Sequence, residues 1–243
     1  MELAGEAALL ATWEAGVAAG RSGRALLLHA VARPAAGPEE LLAVPVGERD
    51  AELFGLRGEL FGEQLTVRVG CPGCAEEMEF DFYAGQVVGA GRPAAGPLRV
   101  ESDGWRVGFR LPTTGDLAAA ERAPAGEART VLLERCVLSA EHDGEPVPAR
   151  RLPEPVQRQV AEAAAAADPC ADVRLNLGCP DCGRQSLAEL DIASYLWEEL
   201  DAWARATLLD VHLLATAYGW SEPEVLALSP LRRRYYLELC ADA

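Results

Sequence analysis

Four cysteines are spaced to do chemistry together: Cys71-Pro-Gly-Cys74 and, more than a hundred residues later, Cys179-Pro-Asp-Cys182. A thiolate is a soft metal ligand. A CxxC turn offers two of them, and two such turns complete the four-sulfur shell that tetrahedral zinc prefers. Each pair is preceded by the same kind of segment, Leu65-Thr-Val67-Arg-Val69-Gly70 and Val173-Arg-Leu175-Asn-Leu177-Gly178. Apolar and polar residues alternate there, as on a half-buried strand. The pattern is a strand running into a tight thiolate-bearing turn, used twice. It predicts one structural zinc per chain, held by Cys71, Cys74, Cys179 and Cys182. Four sulfurs leave no open position for water, so such an ion stabilises and does not catalyse. Two separate redox pairs, or unliganded thiols at turns, are the alternatives. A thioredoxin-type pair opens a helix after a buried strand, whereas strands flank both pairs here. Cys136, Cys170 and Cys240 have no partners at ligand spacing and read as ordinary thiols, with Cys170 near enough to the second pair to be a spare ligand.

No second chemistry emerges. His29, His142 and His212 are scattered, and no nucleophile-base pair, HExxH, phosphate loop or dinucleotide fingerprint is present. No catalytic residue is assigned, and the chain is expected not to be an enzyme. Its 243 residues carry a formal charge of −16. Nucleic-acid binding neutralises phosphates with basic residues, so the overall sign is wrong for it and suits docking to proteins. Apolar runs are too short to span a bilayer, and the amino terminus lacks a basic stretch ahead of an apolar one. A cytoplasmic protein is expected.

The elements that must position the cysteines are predicted as α+β: helical N- and C-terminal parts around a central, zinc-ribbon-like region of short β-hairpins. The expected divisions are 1–64, a helical region; 65–190, the zinc-stapled region with its insertion; and 191–243, a helical arm. Leu9, Leu10, Trp13 and Val17 share a helical face, and Gly20-Arg-Ser-Gly23 ends that helix. Helices are predicted over 24–33 and, through Leu53, Leu56, Leu60 and Phe61, over 48–61. The stretch 88–97, rich in Gly and Pro, reads as a flexible connection. A hairpin follows around Ser102-Asp-Gly104, then a short helix capped by Thr114 or Asp116. Residues 130–140 read as helix with Val131, Leu132, Cys136 and Leu138 available to the core, 143–148 as a loop, and 153–167 as an alanine-rich helix. A long helix runs from Ile192 to Tyr218 and ends at Gly219. Ser221-Glu-Pro-Glu224 is a capping box, and Ser229-Pro230 opens the last helix.

Arg232-Arg-Arg234 is the one basic cluster, flanked by Tyr218, Trp220, Tyr235 and Tyr236. Aromatic and arginine residues together favour protein interfaces. Tyr218, Trp220, Arg232, Arg233 and Tyr235 are therefore candidates for contact with an acidic protein partner. The segment from Val211 to Leu239 resembles the baseplate-associated proteins of contractile phage tails of the T-even type. It is most similar to those encoded with phage-tail-like extracellular contractile injection systems. The shared features are Tyr218, Trp220 and Ser221 in a Tyr-x-Trp-Ser turn, the Glu224-Val-Leu-Ala-Leu228 helix, and the arginine run followed by Tyr and Leu. CPxC pairs after short strands, and a Leu-Pro-Thr-Thr-x-Asp-Leu stretch at Leu111–Leu117, add to the likeness. The resemblance implies a structural or assembly role in a baseplate, through contacts with other baseplate or tail proteins and without catalysis. The competing reading is a zinc-ribbon adaptor for nucleic acid or transcription, its C-terminal helices reading DNA; salt-dependent DNA affinity separates the two.

Overall fold

The chain folds as two units in the computed structural model, which describes residues 5–88 and 93–241. One unit is Leu28–Ala193; the other joins Met1–Leu27 to Ser194–Ala243. Mixed helix and short antiparallel hairpins, with the four cysteines in the central region, make this an α+β chain.

In the second of these units, α1 (Glu6–Val17) lies with the first part of α2 (Arg21–Ala32), most of α9 (Ile192–Tyr218), α10 (Glu222–Leu226) and α11 (Pro230–Ala241). Leu9 and Leu10 are buried here, as are Leu196, Leu200, Leu214 and Val225. Val17, expected on the same face, is half exposed. Gly16 is the reason α1 and α9 approach closely: a Cβ there would sit 2.3 Å from the Trp197 ring. Arg24 lies over that ring, 4.7 Å from its centre, and donates to the Gly16 and Val17 carbonyls, closing the end of α1. Trp13 donates to Asp201 at 2.8 Å, and buried Arg233 pairs with Glu6. Gly23, expected to break a helix, lies inside α2, because the break comes three residues earlier, at 18–20.

The Leu28–Ala193 unit positions the cysteines. Its ruler is α4 (Val46–Phe61), preceded by α3 (Pro38–Ala43). No element is predicted between the helices at 24–33 and 48–61, so α3 is missed, although Pro38 at its first position and Glu39 and Glu40 in its first turn are ordinary start signals. His29, fully buried, meets Glu52 at 2.7 Å, and Arg33, just past α2, pairs with Glu48 and Glu52, so the end of α2 is tied to the first half of α4. At the far end Gly62 turns the chain into β1 (Gln64–Gly70), with Arg57 donating to the Gly62 and Gln64 carbonyls. β1 pairs antiparallel with β2 (Glu77–Tyr83), which runs into α5 (Ala84–Val88). The connection expected over 88–97 falls partly, at residues 89–92, outside the described residues.

The insertion between the cysteine pairs is itself folded. β3 (Leu98–Ser102), β4 (Trp105–Phe109), β5 (Val137–His142) and β6 (Glu145–Pro146) form one antiparallel sheet in that order. Val107 and Phe109 of this sheet pack against Val156 and Val160 of α8 (Glu154–Ala167). Residues 137–140, expected to be helical, are the start of β5. Helix α7 (Ala128–Cys136) stops at Cys136, and Leu138 faces solvent. Val131, Leu132 and Cys136 are only partly covered, since α7 has no buried residue. The missed signal is Asp143-Gly144, both at positive φ, a two-residue hairpin turn of the same kind as Asp103-Gly104. The short helix α6 (Thr114–Glu121) is capped by Thr113, one residue before the expected Thr114; Asp116 returns the capping box. That carboxylate is fully buried. Burial opposes its ionisation, but Arg110, the Thr113 amide and Arg135 outweigh the cost and hold it well below the usual carboxylate range.

The return to the second cysteine pair is also tied to α4. After α8 a 3-10 turn, Pro169–Ala171, packs against α4, and Asp168 accepts the Gly47 amide at 2.9 Å. This carboxylate caps the first turn of α4 from 121 residues away. Position 47 must be glycine for this: a Cβ there would lie 1.7 Å from Asp168 Oδ1. Gly55 on the same helix has open space around it. Gly47→Ala is therefore expected to lower the urea-unfolding free energy by about 2–3 kcal/mol through the displaced cap. Gly55→Ala should raise it by about 0.5–1 kcal/mol through helix propensity alone. Equal effects would contradict the assigned capping contact.

Candidate metal centre

Each cysteine pair sits on the same local structure. In the first turn Cys71 donates its amide to the Glu76 carbonyl at 2.8 Å, and its carbonyl accepts from Ala75 at 2.9 Å. In the second, Cys179 donates to Arg184 at 2.9 Å and accepts from Gly183 at 3.0 Å. Ala75 and Gly183 both take positive φ, 62° and 72°, which turns the chain back into β2 and into β8 (Gln185–Glu189). The strand that leads into the second turn is β7 (Arg174–Gly178). The proline after each leading cysteine fixes φ where the turn starts and needs no amide partner.

The two turns face each other. All four Sγ atoms lie within 4.8 Å of one another. Cys71 Sγ is 3.6 Å from Cys182 Sγ, and Cys74 Sγ is 3.6 Å from Cys179 Sγ. Four sulfurs at the usual zinc–sulfur distance of about 2.3 Å are separated by about 3.8 Å along each tetrahedral edge. The spacing thus fits a single tetrahedral ion. Cys71 and Cys179 are buried on a small apolar cluster with Met78, Val69 and Phe80 beside them, while Cys74 and Cys182 face outward. A tetrahedral all-sulfur shell suits zinc or iron.

The electrostatics point the same way. The Cys74 and Gly73 amides aim at the Cys71 sulfur and lower its pKa to about 6, the Gly73 nitrogen lying 3.3 Å away. Cys74 is pushed up to about 12: the Glu76 amide favours its thiolate, but the neighbouring sulfurs and lost hydration outweigh that. One thiolate forms readily and the next is resisted. A divalent cation removes that resistance.

A model of the T4 bacteriophage base plate protein family matches residues 34–197. The chain belongs to this family. The matched span contains both cysteine turns and nearly all of the Leu28–Ala193 unit. It ends before Val211, so the C-terminal segment with the most specific sequence likeness lies outside it. Comparisons with curated proteins and with solved structures gave no match.

The five residues expected to meet a partner fall in different surroundings. Tyr218 and Trp220 stack at 4.8 Å between ring centres, and Tyr236 meets both edge-on, so the aromatics are largely engaged with each other. Arg233 is 5 % exposed and its charge is met by Glu6. Arg232 and Tyr235 face solvent. Leu231 and Leu239, placed by the sequence on the last helix but not among the contact candidates, recur with Tyr235 every four residues along one exposed side of α11. That spacing was the available signal.

Cys71→Ser and Cys179→Ser are each expected to abolish metal retention and to lower the thermal midpoint equally. A loss on the order of 3–4 kcal/mol corresponds to about 10 °C for a chain of this size. Metal analysis with calorimetry checks this; clearly unequal losses would show two separate sites.

Proposed function

We propose that this protein is a structural or assembly component of the baseplate of a contractile, phage-tail-like particle, without catalytic activity of its own. The observation that carries the reading is the family match across residues 34–197. In this reading Cys71, Cys74, Cys179 and Cys182 hold one structural zinc. It supplies cross-linking and no chemistry, because the four sulfurs fill its coordination shell. The Leu28–Ala193 unit is then the stapled body, and the function is exercised through contacts with other baseplate or tail proteins. No helix among the described residues is long and apolar enough to cross a membrane.

The C-terminal helices are the contact surface we favour. Leu231, Tyr235 and Leu239 are 67, 62 and 59 % exposed on α11, an apolar stripe that nothing in the chain covers among the described residues. Arg232 and Arg234 flank it, the latter paired with Glu238 at 2.9 Å, in a chain of net charge −16. Tyr218 and Trp220 rim the same unit, and Arg233 anchors α11 through Glu6. An apolar stripe with basic flanks fits a baseplate or tail protein that presents apolar residues bordered by Asp and Glu.

Replacing Leu231, Tyr235 and Leu239 together by serine removes exposed side chains only, so helix content and thermal midpoint should stay near wild type. Co-purification with tail components is expected to fall more than tenfold. Unchanged incorporation of the folded triple variant into particles would contradict docking through α11.

A further inference from the structure

The two cysteine turns carry an unequal set of charges. Residues 70–78 are Gly-Cys-Pro-Gly-Cys-Ala-Glu-Glu-Met, and residues 178–186 are Gly-Cys-Pro-Asp-Cys-Gly-Arg-Gln-Ser. Four thiolates around a divalent cation leave a doubly negative centre, and Glu76, Glu77 and Asp181 deepen that field. Arg184 is the only basic residue in either turn. Its placement is specific. Nη1 donates to the Pro72 carbonyl of the opposite turn at 3.2 Å, across 112 residues of sequence. The side chain reaches there by passing over Gly73. A Cβ at position 73 would lie 2.9 Å from Arg184 Cδ and 3.4 Å from both Arg184 Nη1 and Cys182 Sγ. The guanidinium is thus led past the sulfur cluster over a residue whose missing Cβ leaves it room. The equivalent position in the other turn is Asp181, and no arginine crosses there.

We infer that Arg184 is the counter-charge of the thiolate centre and the clasp between its two turns, a positioning residue that raises the affinity for the metal without touching it. The inference rests on the zinc reading above and assigns this chain's own residues to it. Arg184 acts in two ways. Its charge offsets the negative centre, which makes gathering four thiolates less costly. Its bond to the Pro72 carbonyl holds the two turns at the separation the ion requires. Outer-shell groups of this kind typically change metal affinity by about 10–100-fold. Gly73 is the second half of the device, because a Cβ there would crowd the arginine, 2.9 Å from its Cδ.

The test uses the full-length protein, zinc as the probe, and competition with a chromophoric chelator at several salt concentrations. Arg184→Gln is expected to weaken zinc binding by roughly tenfold or more, and Arg184→Lys to recover much of that through its retained charge. Salt should weaken binding by the wild type more than by Arg184→Gln, because the removed contribution is electrostatic. Gly73→Ala should weaken binding in the wild-type background and add little in Arg184→Gln, since both act through one contact. Wild-type affinity in Arg184→Gln overturns the assignment, as does a lower thermal midpoint of the zinc-loaded variant at unchanged affinity. Additive losses for the double variant also overturn it. A wild-type protein that binds no zinc overturns the zinc reading itself together with this inference, and that outcome is separable because it appears before any variant is measured.

Discussion

The constraint that shapes the Leu28–Ala193 unit is to bring four sulfurs within 4.8 Å of one another from turns separated by 105 to 111 residues. Closing so long a loop is costly in chain entropy, and a cross-link over about 100 residues restricts the unfolded chain by roughly 4–5 kcal/mol. The chain meets this constraint with structure on both sides. α4 sets the position of the first turn through Gly62 and of the second through Asp168, which caps the other end of the same helix. The residues between are a four-stranded sheet packed on α8, so they do not dangle from the staple. The sulfur cluster thus completes an arrangement that hydrogen bonds and apolar packing have already brought close.

The strands leading into the cysteine turns, both turns, the long helix to Tyr218 and the Ser221 capping box were legible because each is specified locally. Alternation, CPxC spacing, a glycine at positive φ and a reciprocal cap all act within a few residues. What the sequence concealed is set by distant partners. Residues 137–140 became strand because β4 was there to pair with, although the Asp143-Gly144 turn already hinted at a hairpin. Arg233 looked like a surface charge until Glu6, 227 residues away, turned out to meet it. The four ligand candidates were readable from spacing, but the residue that crosses between the turns, Arg184, was not, since only the fold brings it to Pro72.

The family match and the sequence likeness fall on different parts of the chain. The match covers 34–197, nearly the whole cysteine-bearing unit, whereas the most specific resemblance lies between Val211 and Leu239. This separates two tasks. The matched unit carries the fold that defines membership in the T4 bacteriophage base plate protein family. The helices beyond it present apolar and basic side chains outward on α11, the contact surface proposed above.

The central claim is that one metal ion joins the two turns. X-ray absorption at the zinc edge on protein purified without added metal, together with its native mass, tests it most directly. The account predicts one zinc per chain surrounded by four sulfurs at about 2.3 Å. Nitrogen or oxygen ligands in the shell, two metal ions per chain, or metal-free protein with both cysteine pairs oxidised would contradict it.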